Sequence, residues 1–433
     1  MNDRTFNNII FRVLAATIAF AAIAKGAVNL WSVTIVQWVV FMLVLLSVWR
    51  GNNPGKMGTD PKSGSVPHFS IRLFVYLAAV SWIFSIYPYD SMLSFFRLMA
   101  YVAVYYLAAN HFSWSVQLRF FKFIVAIATT LSVLGIGQYF FGLDHSWWNS
   151  PRLLSATYVN HAHFAGLLEM AIPLSVGLFI GLNRDEVTGP FQLVKWRILS
   201  GLAFGIMLTA FILTQSRGAW IVLAMASIIL CMVLVKQKSL PKWGMAAFML
   251  GLALFIAFIG FADDRVAMRM HTISVGEESS FFRGRLPVYQ HSVNIIKDNL
   301  WAGTGPGTFA WAFPKYRPEG FGSRFYYAHN DYIQTIVEMG IFVIPILAWG
   351  IFIVLKRGFS RGKDEFHLKK AMRLACSVGI LSLMLHGLVD FNFHIPANMI
   401  IFVSLVAIVT RRSTKMRRST KMRERSIDPY PLE

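Results

Sequence analysis

The chain has 433 residues, of which 56% are hydrophobic and only 14% charged. That balance leaves too little polar surface to coat a soluble globule, so lipid is the solvent for most of the chain. The formal net charge of +20 would suit nucleic acid, but no folded nucleic-acid-reading module accompanies it, and the placement of the basic residues gives it another meaning.

Apolar runs of about 17 to 22 residues recur from end to end, each long enough to cross a hydrocarbon core of about 30 Å as a helix. In chain order they fall at roughly 9–26, 31–49, 70–87, 92–110, 120–141, 162–182, 197–215, 218–235, 243–261, 330–355, 371–389 and 396–410. Helices satisfy their own backbone polar groups in lipid. The expected fold is therefore an all-α polytopic membrane protein of about 12 transmembrane helices. The first run ends in Ala22-Ile23-Ala24, which resembles a signal-peptidase site, but its length and the spans that follow fit an uncleaved anchor.

With the N-terminus inside, alternate connections carry the cations: Arg50, Lys56 and Lys62; Arg119 and Lys122; Arg184, Lys195 and Arg197; Lys236, Lys238 and Lys242; then Lys356 through Lys370. The opposite short connections are nearly bare of them, which is the positive-inside pattern and predicts that both termini are cytoplasmic. Most of the excess charge is thus topology. The basic tail, with a hexapeptide at 411–416 repeated at 417–422, is expected to lie against anionic membrane lipids. Cys231 and Cys376 both fall near cytoplasmic helix ends, so neither a disulfide nor a zinc site is expected.

These readings divide the chain into spans one to nine (1–261), a large outer loop (262–329), spans ten to twelve (330–410) and a basic cytoplasmic tail (411–433). Within the loop, Leu286, Tyr289, Val293 and Ile296 recur at helical spacing behind Pro287, a first-turn residue, which predicts an amphipathic helix over 285–298. Gly303-Thr304-Gly305-Pro306-Gly307 follows. It reads as a tight turn rather than a phosphate cradle, because it lacks the lysine and hydroxyl of a P-loop. Arg265, Arg269, Arg283, Arg285, Lys297, Lys315, Arg317 and Arg324 make the loop cationic, and lipid contact or solvent accounts for several of them.

Polar groups at membrane depth are costly and are retained for a reason. Thr214-Gln215-Ser216-Arg217-Gly218-Ala219-Trp220 interrupts two apolar spans in a tight hairpin that aims Arg217 at the bundle mouth. Ala328-His329-Asn330-Asp331-Tyr332 closes the loop and opens span ten, with Asn330 or Asp331 as its cap and Glu338 about two turns on. His329 therefore sits at a helix N-terminus, where an anion is favoured. Arg283 and Arg285 mark the start of the loop helix.

Together these segments resemble the O-antigen ligase and Wzy O-antigen polymerase superfamily over roughly residues 150 to 400. The resemblance also takes in Arg152, Ser155 through His163, Val389-Asp390-Phe391 and His394-Ile395-Pro396. It implies a membrane enzyme of the glycosyltransferase C type, with the large helical loop facing the periplasm of a bacterial inner membrane. Such an enzyme takes a glycan from undecaprenyl diphosphate and gives it to a sugar hydroxyl, without a metal or other cofactor. The sequence agrees on the metal, since the outer loops hold no Asp-x-Asp pair and no ligand cluster beyond the adjacent Asp263-Asp264.

Without a metal, protein cations must neutralise the leaving diphosphate, for which arginine's planar fork is suited. Arg217 and Arg285, with Arg283, are the candidates, and His329 is the candidate base for the acceptor hydroxyl, kept neutral by neighbouring arginines. Arg152, Asp390 and Glu338 are candidates for a supporting shell. Arg97, His161, His163, Glu169 and His394 either orient substrate or simply pack.

The acceptor stays open. Lipid A core would make the chain a ligase; a second undecaprenyl-linked glycan would make it a polymerase; a pilin-like protein is a third option. A transporter or flippase is a rival of another class, but the single long loop has no counterpart in the first half of the chain.

Overall fold

The computed structural model describes residues 2–50, 66–142, 153–182, 190–236, 285–317, 325–360 and 366–411, with isolated positions between 243 and 268. The regular elements among the described residues are all helices, with no strand. In chain order the helices are α1 (Asp3–Ile23), α2 (Leu30–Trp49), α3 (Val66–Ile83), α4 (Pro88–His111), α5 (Trp114–Phe141), α6 (His161–Gly181), α7 (Pro190–Leu213) and α8 (Arg217–Lys236). There follow α9 (Leu286–Asp298), a single turn α10 (Phe309–Ala312), α11 (Asp331–Met339), α12 (Val343–Gly358), α13 (His367–His386) and α14 (Pro396–Thr410).

Among the described residues seven helices are long and apolar enough to cross a membrane: α1, α2, α4, α5, α6, α7 and α8. The apolar α3 and α14 are shorter, and α13 carries Lys369, Lys370 and Arg373 near its start. The protein is a polytopic helical membrane protein. Large apolar side chains such as Trp38, Leu45, Leu202 and Ile221 point outward, as they do when lipid replaces water outside the bundle.

The bundle is centred on α6, which apart from Glu169 and the histidines of its first turn is largely apolar and is buried along most of its length, the pattern of a helix with no polar solvent on any side. Small residues let α13 come close to it. A side chain on Gly177 or Gly181 would meet Ala371, Ala375 or Leu368, and one on Gly379 would meet the α6 backbone at Met170. Helix α6 also packs on α7 and α8, while α4 and α14 join from the other flank.

Span ten differs from the sequence expectation. The 330–355 run is broken at Gly340 into α11 and α12, with Gly340 at a φ of 77°, a left-handed conformation natural to glycine. The reason is that α11 belongs to the loop. Its carbonyls at Val337 and Glu338 accept from the amides of Thr304 and Gly305, and Ile341 N donates to Leu300 O. Val288, Ile295, Phe309, Phe313, Ala328 and Val337 form a separate small core under this segment, and the apolar face of α9 supplies Val288 and Ile295. Helix α9 starts one residue later than expected, with Pro287 in its first turn.

Candidate active site

The α7–α8 hairpin is held by its own polar residues. Thr214, Gln215 and Ser216 are all buried; Gln215 takes a φ of 55° and its side-chain amide donates to the Tyr139 hydroxyl at 3.2 Å. The indole of Trp220 donates to Phe211 O at 3.2 Å, tying the second helix back to the first. Arg217 therefore starts α8 at a fixed point, half-buried. The next residue, Gly218, lies against the α13–α14 turn, where an added side chain would meet Val389 at 3.1 Å and His386 at 3.8 Å.

His329 is fixed by its backbone before its ring is considered. It adopts a φ of 53°, uncommon for a residue with a Cβ. The Tyr289 hydroxyl on α9 donates to its carbonyl at 2.7 Å. Asn330 caps α11, its side-chain oxygen accepting from Tyr332 N and Ile333 N, both at 3.0 Å, and its amide donating to Leu388 O at 2.8 Å. Of the two expected caps Asn330 takes the role. Asp331 instead accepts from His394 Nδ1 at 2.7 Å and from Phe393 N at 3.1 Å.

The His329 ring faces Asp390, with Nδ1 and Oδ1 3.4 Å apart. An ionised carboxylate can only accept, so in this contact Nδ1 is the donor. Asp390 is buried and also accepts from Phe391 N at 2.9 Å. Burial pushes its carboxyl pKa up, but the His329 hydrogen bond and the nearby His386, His163 and Arg285 outweigh that and hold it below the ordinary carboxylate range. The same influence of Arg285 on Asp390 and Tyr289 puts this residue, just ahead of α9, beside the His329 pair.

Behind Asp390 the polar groups continue into the bundle. His386 Nε2 lies 3.9 Å from Asp390 Oδ2, its Nδ1 lies 2.8 Å from Glu169 Oε1 on α6, and Ser382 donates to Glu169 Oε2 at 3.1 Å. His386 and Glu169 are fully buried. The sequence reading passed over His386, which sits mid-run in an apolar helix and forms no motif; only its position four residues before Asp390 hinted at the pairing.

The structure thus brings Arg285, His329 and Asp390 around one turn, with the start of α8 at Gly218 packed against it, while Glu338 stands elsewhere. It accepts from Gly307 N at 2.8 Å and from the Gln334 amide at 2.9 Å, so it anchors the glycine turn rather than supporting His329. The amides of Thr304, Gly305 and Gly307 are all engaged by α11, which leaves them no phosphate to cradle. Arg152 and Arg283 lie outside the described residues. Among the described residues no three His, Cys, Asp or Glu side chains are grouped to hold a metal, and both cysteines are buried and unpaired.

Residues 202–348 match the family model described as O-antigen ligase. The matched segment, about a third of the chain, is similar to that family. It contains Arg217, Arg285 and His329, whereas Asp390, His386 and Glu169 come from outside it. Among curated proteins, none matches the chain.

Proposed function

We propose that the chain is an O-antigen ligase that transfers a glycan from undecaprenyl diphosphate to a sugar hydroxyl of lipid A core, at the periplasmic face of the bacterial inner membrane. In this reading the chain spans the membrane twelve times, both termini are cytoplasmic, and the loop from 262 to 329 is periplasmic. The supporting observation is the 3.4 Å contact between His329 and the buried Asp390, beside Arg285 and the start of α8.

The chemistry is a single inverting displacement. The acceptor O–H gives its proton to His329 Nε2 as its oxygen bonds to the anomeric carbon. The bond from that carbon to the diphosphate breaks, and the electron pair leaves with the diphosphate. Arg217 and Arg285, with Arg283 as a third candidate, stabilise the charge that develops there, and Asp390 stabilises the imidazolium. No metal is required at any step.

Purified protein reconstituted with undecaprenyl-diphosphate glycan and lipid A core, in the presence of a chelator, tests the proposal. Glycosylated lipid A core with inverted anomeric configuration supports it. Extension of a second undecaprenyl-linked glycan, with lipid A core untouched, would make the protein a polymerase; transbilayer movement without a new glycosidic bond would make it a transporter.

A further inference from the structure

Buried polar atoms in membrane-spanning helices normally find partners, because leaving one unmet in low dielectric is costly. Ser70 Oγ on α3 and Arg97 Nε and the Tyr101 hydroxyl on α4 find none among the described residues. All three side chains line one cavity of about 380 Å³, bounded by α3, α4, α11, α12 and α14. Its walls are otherwise largely apolar, with Phe74, Leu98, Leu347, Phe402 and Val406 among them, but they also include His394 and Glu338, whose carboxylate is engaged by Gly307 N and the Gln334 amide.

Arg97 and Tyr101 are one helical turn apart and share a face of α4. The charge of Arg97 is felt at Tyr327 and His394, both in the layer of turns at the bundle end that holds His329. A cation and two hydroxyls facing an apolar slot fit an amphiphile with an anionic head and a hydrocarbon chain, since arginine and hydroxyl donors both suit phosphate oxygens.

The cavity is separated from the base by one aromatic layer. Phe391 stacks on Tyr327 at 4.3 Å and meets the His329 ring edge-to-face at 4.9 Å, while Tyr327 packs on His394 at 5.1 Å. Arg285 stands beside Asp390 and Tyr289, at the His329 pair rather than in the cavity. A donor diphosphate held there leaves the cavity to the other substrate.

We propose that this cavity is a second lipid-phosphate site, which holds an acyl chain and a phosphate of the acceptor lipid on Arg97, Tyr101 and Ser70. The assignment of the occupant as acceptor rests on the transferase reading above; the lipid-phosphate site itself does not.

The test is lipid binding to the full-length protein in nanodiscs, read by native mass spectrometry with no glycan donor present. The probes are lipid A and undecaprenyl phosphate, and the variants are Arg97→Ala, Tyr101→Phe, Gly350→Leu and, as a control, Ile221→Ala. Gly350 lines the cavity with open space where a side chain would start, so leucine there narrows the slot without meeting backbone. Lipid A binding should weaken about tenfold or more in Arg97→Ala and about threefold in Tyr101→Phe, from the loss of a charged and a neutral hydrogen bond. It should also weaken in Gly350→Leu and stay unchanged in Ile221→Ala, an outward-facing residue outside the cavity lining.

Lipid A binding that neither Arg97→Ala nor Gly350→Leu reduces would overturn the site. Binding of undecaprenyl phosphate with the same mutational pattern, and none of lipid A, would overturn the acceptor assignment. Because no transfer is measured, these outcomes are independent of whether the protein proves to be a ligase.

Discussion

Replacing Asp390 with asparagine removes the charge opposite His329 while keeping the size and shape of the side chain. At 3.4 Å and an effective dielectric constant of about 20, the attraction between an imidazolium and this carboxylate is about 5 kcal/mol. The His329 side chain is 29% exposed, and solvent screening brings the usable part down to about 2.5 kcal/mol. In the proposed mechanism the imidazolium forms as the acceptor proton is taken, so this loss falls on the transition state and amounts to a fall of about 50- to 100-fold in kcat. KM for the donor should change little, because Arg217 and Arg285 remain. Steady-state transfer at saturating donor and acceptor measures both constants. Wild-type kcat in Asp390→Asn would refute the pairing as a catalytic device, and a raised KM with normal kcat would reassign Asp390 to substrate binding.

The other predictions concern the scaffold. Gly303 has a φ of 69° and its missing side chain would run into the Glu338–Met339 peptide; Gly303→Ala should therefore lower stability by about 2–4 kcal/mol, measurable as a lower Tm in detergent. Burial lowers the His394 pKa, but the hydrogen bond to Asp331 and the charges of Asp331 and Glu338 outweigh it and raise the imidazole above its ordinary 6.5. Because the folded value lies above the unfolded one, this pair's contribution is fully present below pH about 6.5 and is lost as pH rises through the folded value. Tm should accordingly fall between pH 6 and pH 9, and fall less in His394→Gln; equal slopes would contradict the pairing. Glu169→Leu leaves His386 buried without its carboxylate, and should destabilise the bundle by about 3–5 kcal/mol in a thermal melt.

Much of the fold was legible in the sequence because lipid imposes a simple rule: long apolar runs must be helices. The Gly340 break was not legible. Hydropathy counts residues 330–355 as one run, and only the hydrogen bonds from the 303–305 turn to Val337 and Glu338 show that its first third serves the loop. Arg217, Arg285 and His329 stood out because cations and imidazoles are conspicuous among apolar residues and sat in recognisable segments. His386 and Glu169 did not, since a single polar residue in an apolar helix carries no spacing signal and its partner lies 217 residues away in the chain for that pair. Arg97 was visible as an oddity, but that it shares a cavity with Tyr101 and Ser70 depends on how α3 and α4 pack.

The most direct test of the proposed chemistry is single-turnover transfer by His329→Ala, at saturating donor and acceptor and without divalent metal, with donor binding measured on the same preparation. Loss of a general base predicts a rate lower by about a hundredfold or more with donor affinity retained. A near-normal rate would contradict the assignment of His329 as the base.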